Sequence, residues 1–325
     1  MAATIERKLR CCDSFHSAFQ CHILYGYWWN LAQAAGSVLS LSRILLNGSD
    51  SQPLFSAAVR VVLYLNSDAA LMSGASVLRG VGNKVYQHAF PIYRPLYAAY
   101  KAYADRAERQ LLKKILFQGA VVVDVGANIG IYSEFLCRCV GRTGLVHSFE
   151  PSPDNFRLLS TATRHLSNVR LAQAAVGERS GECKLYISDK LNVDHRAYKT
   201  DGDSRCAIPT QMVALDDYFK SGQRVDLIKM DIQGYELHAL RGAQRVLREN
   251  PDINLLLEFW PAGLAQAGVG WEELVEMLQG LNMNLTLVRT HDLVPFDAHD
   301  VRSDVSWYVN VFAHRTRGQT QNWRE

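Results

Sequence analysis

From Pro95 onward the apolar positions of the chain fall into two alternating rhythms. Leu96, Tyr100, Tyr103, Ala107, Leu111 and Ile115 recur at helical spacing with Lys101, Asp105, Arg106, Glu108 and Arg109 between them, the pattern of an amphipathic helix. Short apolar runs follow at 121–125, 145–150, 169–176, 225–231, 253–259 and 307–313, and each reads as a buried strand. Helical patterns separate them at 131–140, 153–165, 235–248 and 271–279. Such alternation predicts an α/β domain built on a mainly parallel, doubly wound sheet with helices on both faces. "CKLYIS" and "TQMVALDDYF" add two strands that enclose a long polar loop, 189–209, and a loop of that length over an α/β sheet is a candidate for function.

Residues 1–95 carry helical patches broken at "LNGSDSQP" and "LRGVGN", without a repeat or a recognisable site, and are expected to form a helical extension before a domain at 96–315 and a polar tail at 316–325. Residues 14–42 lack Asp, Glu, Lys and Arg. His16, Gln20, His22, Asn30 and Gln33 interrupt them, so the segment reads as helix packing on its own domain sooner than as membrane contact, although Tyr25, Tyr27, Trp28 and Trp29 would suit a bilayer interface. Glu6 and Asp13 among Lys8 and Arg10 are unlike a secretory leader, and the 7 cysteines form no C-x-x-C pair. A cytoplasmic protein with reduced thiols is expected. A net charge of +3 over 325 residues provides no electrostatic footprint for nucleic acid.

Candidate chemistry is sought at the carboxyl ends of the strands, where open parallel sheets bind ligands. The first strand, "VVVDV", buries Asp124 among valines, where an unpaired carboxylate costs several kcal/mol, and runs into Gly126, Asn128 and Gly130. Glycines there let backbone approach a ligand, and the following helix directs free N–H groups at it. The second strand ends "HSFEPSP", which places Glu150 and Pro151 where a carboxylate can accept from a ribose diol. The spacing is G-x-x-x-G, and the G-x-G-x-x-G that seats a pyrophosphate is absent. A ligand with a ribose, no pyrophosphate and a cationic amino-acid end fits, and S-adenosylmethionine is such a ligand. Asp124 is then expected to hold its ammonium end, directly or through water, unless it caps the loop's own amides. The fourth strand, "VDLIKMDIQGYE", delivers Asp231 to the same edge. Lys229 shares its face of the sheet and is placed for an ion pair, while Glu236 is expected to be structural. The fifth strand ends "LLLEF" and brings Glu258.

"VVVDVGANIGIYS", "HSFEPSPDNFRLL", "VDLIKMDIQGYELHALRGA" and "LLLEF" together resemble, in order and spacing, the FkbM-type S-adenosylmethionine-dependent methyltransferases. The resemblance extends from about residue 108 to 313 and takes in "LNVDHRAY" and "VALDDYF". It implies a Rossmann-like class I methyltransferase fold and O-methylation of a hydroxyl on a sugar or natural-product acceptor. It carries cofactor contact onto Asp124, Gly126, Asn128, Gly130 and Glu150, and active-site roles onto Asp231 and His195. The family pattern K-x-D-x-E-G-x-E has a glutamate where this chain has Gln233.

Methyl transfer from a sulfonium needs alignment and a base for the hydroxyl proton. Asp231 and His195, the latter beside Asp194 and Arg196 in the polar loop, are the two candidates for that base. At least one of Asp216 and Asp217 is expected to cap, and with no ligand pattern around Asp231 and Asp216 no metal is expected. His291, Trp260 and the tyrosines at 93, 97, 100 and 103 are candidate cleft residues. Competing readings are a non-catalytic S-adenosylmethionine-binding or scaffold protein, made thinkable by Gln233, and a methyltransferase with a nitrogen or protein side-chain acceptor.

Overall fold

The computed structural model describes residues 90–188, 195–200, 205–290, 292–302 and 304–315. The chain divides into two units, Met1–Ser73 and Gly74–Glu325, and every described residue lies in the second. The expectations for residues 1–89, for the tail at 316–325, for His291 and for Asp194 fall outside the described residues.

In chain order the elements are α1 (Phe90–Ala104), α2 (Arg106–Ile115), β1 (Val121–Val125), α3 (Ile131–Val140), β2 (Leu145–Phe149), α4 (Pro153–Thr163), β3 (Val169–Ala172), β4 (Ala175–Val176), β5 (Gly181–Ile187) and β6 (Cys206–Val213). There follow α5 (Leu215–Tyr218), β7 (Leu227–Met230), α6 (Glu236–Arg241), α7 (Gln244–Glu249), β8 (Asn254–Phe259), α8 (Pro261–Gln266), α9 (Trp271–Gly280), β9 (Asn284–Val288), β10 (Leu293–Pro295) and β11 (Val309–His314). Eight strands make one sheet in the order β10-β9-β11-β8-β7-β1-β2-β3. From β3 to β8 neighbours are parallel, and β11 runs antiparallel between β8 and β9. This is the class I methyltransferase arrangement, with the switch point between β1 and β7.

Period-two alternation along the strands decides what each face buries. Val123, Val125, Phe149, Ile228, Met230, Leu255 and Leu257 pack on Leu237, Leu240, Leu247, Leu274 and Leu278 of α6, α7 and α9. On the other face Val122, Val146, Leu227 and Leu256 meet Leu112 of α2 and Tyr132, Phe135, Leu136 and Val140 of α3. Two positions further along those same strands that second face turns polar, with Asp124, Ser148, Lys229 and Glu258 in place of the aliphatic layer.

The structure departs from the periodicity at three places, each for a tertiary reason. The run at 169–176 is two strands, because after Ala172 the chain leaves the large sheet and β4 pairs with β6 in a separate sheet of order β4-β6-β5. The helix expected at 235–248 breaks into α6 and α7 at Gly242, where a Cβ would lie 2.0 Å from the Gly177 carbonyl oxygen. Asp216 bridges that break. Its N–H donates to the Gly242 carbonyl at 2.8 Å, and its carboxylate accepts from the N–H groups of Arg245 and Val246, both at 2.9 Å, so it caps a helix other than its own. The helix leading into β1 starts at Phe90 and is interrupted at Asp105, whose carboxylate pairs with Lys101 one turn back at 2.8 Å.

Gly234 has φ 94° and no room, since a Cβ would lie 2.3 Å from the Gly263 carbonyl carbon, whereas nothing lies within 4 Å of a Cβ on Gly280. Gly234→Ala is expected to destabilise the domain by about 2 kcal/mol or more. Gly280→Ala is expected to be neutral or to stabilise by up to about 1 kcal/mol, and urea denaturation of the two variants checks the contrast.

Candidate active site

The carboxyl ends of β1 and β7 meet at a cluster of buried charge. Asp124 and Lys229 face each other across the two parallel strands, with Lys229 Nζ 3.6 Å from Asp124 Oδ1 and 3.8 Å from Asp231 Oδ2. Asp124 is fully buried. Its Oδ2 accepts from Ser133 Oγ at 2.8 Å, and Ser133 Oγ accepts in turn from Ser148 Oγ at 3.0 Å on the adjacent strand. The Lys229 ammonium also lies 4.8 Å from the centre of the Tyr132 ring, which closes the cluster from α3. A carboxylate in a valine strand is therefore matched by a lysine in the neighbouring buried strand, as the desolvation cost of either alone requires. The expected Lys229–Asp231 pair is present. The second pair, to Asp124, was not anticipated, although two charges on one face of adjacent buried strands signalled it.

The loop between β1 and α3 is built around two positive-φ residues that approach other parts of the protein. At Gly126 (φ 80°) a Cβ would lie 2.1 Å from the Asp231 carbonyl oxygen, and at Gly130 (φ 85°) it would lie 2.9 Å from Leu159 Cδ1 of α4. Gly126 thus brings the β1 loop and the end of β7 together. Asn128 is also left-handed (φ 49°), and its N–H donates to Glu150 Oε2 at 2.8 Å.

Glu150 is 4% exposed, and Oε1 accepts from the Ser152 N–H at 2.9 Å. Burial pushes this carboxyl up to about 7, against the pull of its backbone donors, so Glu150 acts first as a cross-link between the β1 and β2 loops. Pro151 lies beside it and accepts from Thr210 Oγ1 of β6 at 3.4 Å. Glu236 is fully buried and accepts from the Ile232 N–H at 3.0 Å. Burial raises it to about 7 as well, which agrees with a structural role.

The polar loop after β5 returns to the sheet edge at 195–200. His195 Nδ1 accepts from the Ser188 N–H at 3.1 Å. Arg196 pairs backbone to backbone with Tyr186, donates to Gln266 Oε1 at 2.6 Å and stacks 5.1 Å from the Trp260 ring. Tyr198 donates its hydroxyl to the Gln233 carbonyl at 2.5 Å. His195 is thereby anchored beside the carboxyl edge, on the insertion, while Asp231 belongs to the central cluster.

Helix α1 contributes residues that lie before the resemblance seen in the sequence. Tyr93 and Tyr97 stack at 5.5 Å and pack with Ile129 and Ile131 of the glycine loop. Burial pushes the Tyr97 hydroxyl up to about 12, with Lys101 pulling it down and the charges of Asp105 and Asp231 adding to the rise. Burial alone would lower Lys101, but Tyr97, Asp105 and Asp231 hold its ammonium well above the usual range. Among the described residues no three His, Cys, Asp or Glu side chains are grouped to hold a metal ion, and no helix is long and apolar enough to cross a membrane.

Sheet order and the switch point between β1 and β7 define the fold class, that of the class I methyltransferases. Residues 124–283 match the methyltransferase FkbM domain model. The chain is similar to the hexuronic acid methyltransferase AglP of Haloferax volcanii, at 27% identity over 150 residues that cover 44% of this chain and 59% of that protein. It is also similar to the methyltransferase sdnD of Sordaria araneosa, at 26% identity covering 44% of this chain and 68% of that protein. Among solved structures it resembles a SAM-dependent O-methyltransferase from Thermotoga maritima, at 14% identity and a TM-score of 0.36 with 66% of each chain covered. Aeropyrum pernix fibrillarin with bound S-adenosyl-L-methionine matches at 14% identity and a TM-score of 0.37, covering 64% of this chain and 74% of that one. Likenesses of that size add nothing to the fold already visible in the sheet.

The residues present fit the cofactor of this class. Among the described residues Asp124 Oδ1, with Lys229 Nζ 3.6 Å away, and Asn128 Oδ1 are buried acceptors without a hydrogen-bond donor, one at the end of β1 and one in the loop that follows. A ligand with an ammonium group and ribose hydroxyls brings donors for such atoms.

The raised carboxyls make stability depend on pH. A group whose folded pKa lies above its unfolded value stabilises fully below the unfolded pKa and loses that contribution as pH rises through the folded one, here about 7 for Glu236. Glu236→Gln keeps an acceptor for Ile232 and removes the ionisation. The fall in melting temperature between about pH 5.5 and about pH 8.5 is expected to be smaller in this variant than in the wild type, with Glu150 supplying the remainder.

Proposed function

We propose that the chain binds S-adenosylmethionine and O-methylates a hydroxyl of a sugar or natural-product acceptor, with Asp231 as the base. The observation that supports this reading is the environment of Asp231. It stands at the switch point with its backbone carbonyl against Gly126, and its side chain, 39% exposed, is the open end of an otherwise buried charge cluster. Asp124, Asn128 and the β1 loop would hold the cofactor, with Glu150 and Pro151 shaping the second wall. When bound, S-adenosylmethionine supplies an electrophilic methyl group on a sulfonium.

The protein's own residues do the rest. Lys229 pins the Asp231 carboxylate from below, Gln233 restrains it from the side, and the acceptor hydroxyl proton passes to the carboxylate that remains reachable. Tyr97 and Trp260 would wall the acceptor space, and His195 would contact the acceptor from the insertion. A sugar acceptor is supported by the likeness to a hexuronic acid methyltransferase. The chain spans 59% of that relative's length, so the acceptor belongs to this proposal alone.

Calorimetric titration with S-adenosylmethionine, S-adenosylhomocysteine and NAD tests the reading. Binding of the two adenosyl ligands at a Kd of about 1–100 μM is expected, with no NAD binding, and Asp124→Asn should weaken both by about tenfold or more. Asp231→Asn should retain that binding while lowering labelled-methyl transfer to hydroxylated acceptors by about a hundredfold or more. A folded protein that binds neither adenosyl ligand would overturn the proposal.

A further inference from the structure

The side chain of Gln233 occupies the gap between the two carboxyl groups at the open edge of the site. Its nitrogen donates to Asp231 Oδ1 at 3.3 Å and to Glu258 Oε2 at 3.0 Å, which uses both amide hydrogens. The direction of the side chain is imposed by the backbone. Gln233 is left-handed (φ 57°) and is followed by the sterically locked Gly234. The Asp231 N–H donates to the Val125 carbonyl at 3.1 Å, the Ile232 N–H to Glu236, and Tyr198 to the Gln233 carbonyl. A non-glycine residue held at positive φ by that many contacts marks a position where side-chain placement outweighs backbone comfort.

Counting charge around this bridge shows why a neutral donor matters. Asp231 and Glu258 hold it from the carboxyl ends of β7 and β8, Glu236 lies behind the loop, and the neighbouring lysines are already engaged by Asp124 and Asp105. The cations facing them are Lys229, shared between Asp124 and Asp231, and Lys101, bound to Asp105 at 2.8 Å, while Tyr97 of α1 adds an uncharged hydroxyl. Two lysines cannot compensate all of these carboxylates in a partly dry site. Among the described residues Glu258 has no ion pair. Burial, followed by the charges of Asp231 and Glu236, pushes it well above the carboxylate range.

We propose that Gln233 is the positioning residue of this edge: its amide ties Asp231 to Glu258, so that the two carboxyl groups share one neutral donor and the Asp231 carboxylate is held toward the opening. Of the two, Asp231 is the one that Lys229 contacts at 3.8 Å and whose side chain is 39% exposed, as proton transfer from an acceptor requires. A glutamate at 233 would add a third carboxyl group to this edge and remove the shared donor. This inference rests on the reading of Asp231 as the base, but its test follows titration and not turnover, so the two fail separately.

The experiment is a pH titration of side-chain carboxyl carbons by NMR in protein labelled with 13C at Asp and Glu, with Glu258 assigned through Glu258→Gln. The Glu258 midpoint is expected above the ordinary carboxylate range in the wild type and lower by about one unit in Asp231→Asn, which removes the neighbouring charge. Gln233→Leu, which removes a donor to the ionised form, is expected to raise the midpoint by about one unit, and Gln233→Glu to raise it further. A Glu258 that titrates in the ordinary carboxylate range overturns the proposal. So does a midpoint that moves by less than about 0.3 unit in both folded Gln233 variants. Should neither variant fold, a Glu258 midpoint unmoved in Asp231→Asn overturns it equally. Calorimetry with S-adenosylhomocysteine on the same samples tests the methyltransferase reading independently.

Discussion

The Lys229 ammonium, held between Asp124 and Asp231, is the interaction on which the rest of the site depends. All three groups lie at the switch point, where β1 and β7 part to serve opposite halves of the sheet, and two of the three are almost completely buried. Removing Lys229 would leave the buried Asp124 carboxylate without its cation in a dry interior, at a cost of about 3–5 kcal/mol. Ser133 and Ser148 extend it to α3 and β2, and the Tyr132 ring seals it. Its single opening is the Asp231 carboxylate.

Around this cluster, buried carboxyls play two physical roles. Glu150 and Glu236 are internal caps. Each accepts backbone N–H groups from a loop at the carboxyl edge, and burial outweighs those donors, so both titrate near neutral pH. Asp231 and Glu258 instead face the opening, and Gln233 lies between them. One type of group thus stiffens the edge or offers reactivity at it according to what it touches, which composition does not reveal.

The working site also draws on chain outside the matched domain at 124–283. Tyr97 and Lys101 reach it from α1, and Asn310 of β11, directly opposite Glu258 in the register, donates to Glu108 of α2 at 2.7 Å. The segments before and after the domain match are in this way tied to each other over the carboxyl edge.

Period-two alternation and ordered strand-end motifs were enough to read six of the eight strands of the large sheet and the neighbourhood of Asp124, Glu150, Asp231 and Glu258, because burial writes itself into local sequence; β9, β10 and α8 were not read. The break at Gly242 and the departure of β4 from the large sheet were not legible, since each is caused by contacts with residues far along the chain: Gly177 and Asp216 in the first case, β6 in the second. The same holds for the partner of Asp124. The strand shows that a buried acid needs compensation, but only parallel register brings Lys229 within 3.6 Å of it. The sequence by itself determined which charges the site contains. Tertiary structure decided which of them neutralise one another and which, at Asp231, stays open to solvent, because pairing depends on distance and desolvation that no linear spacing encodes.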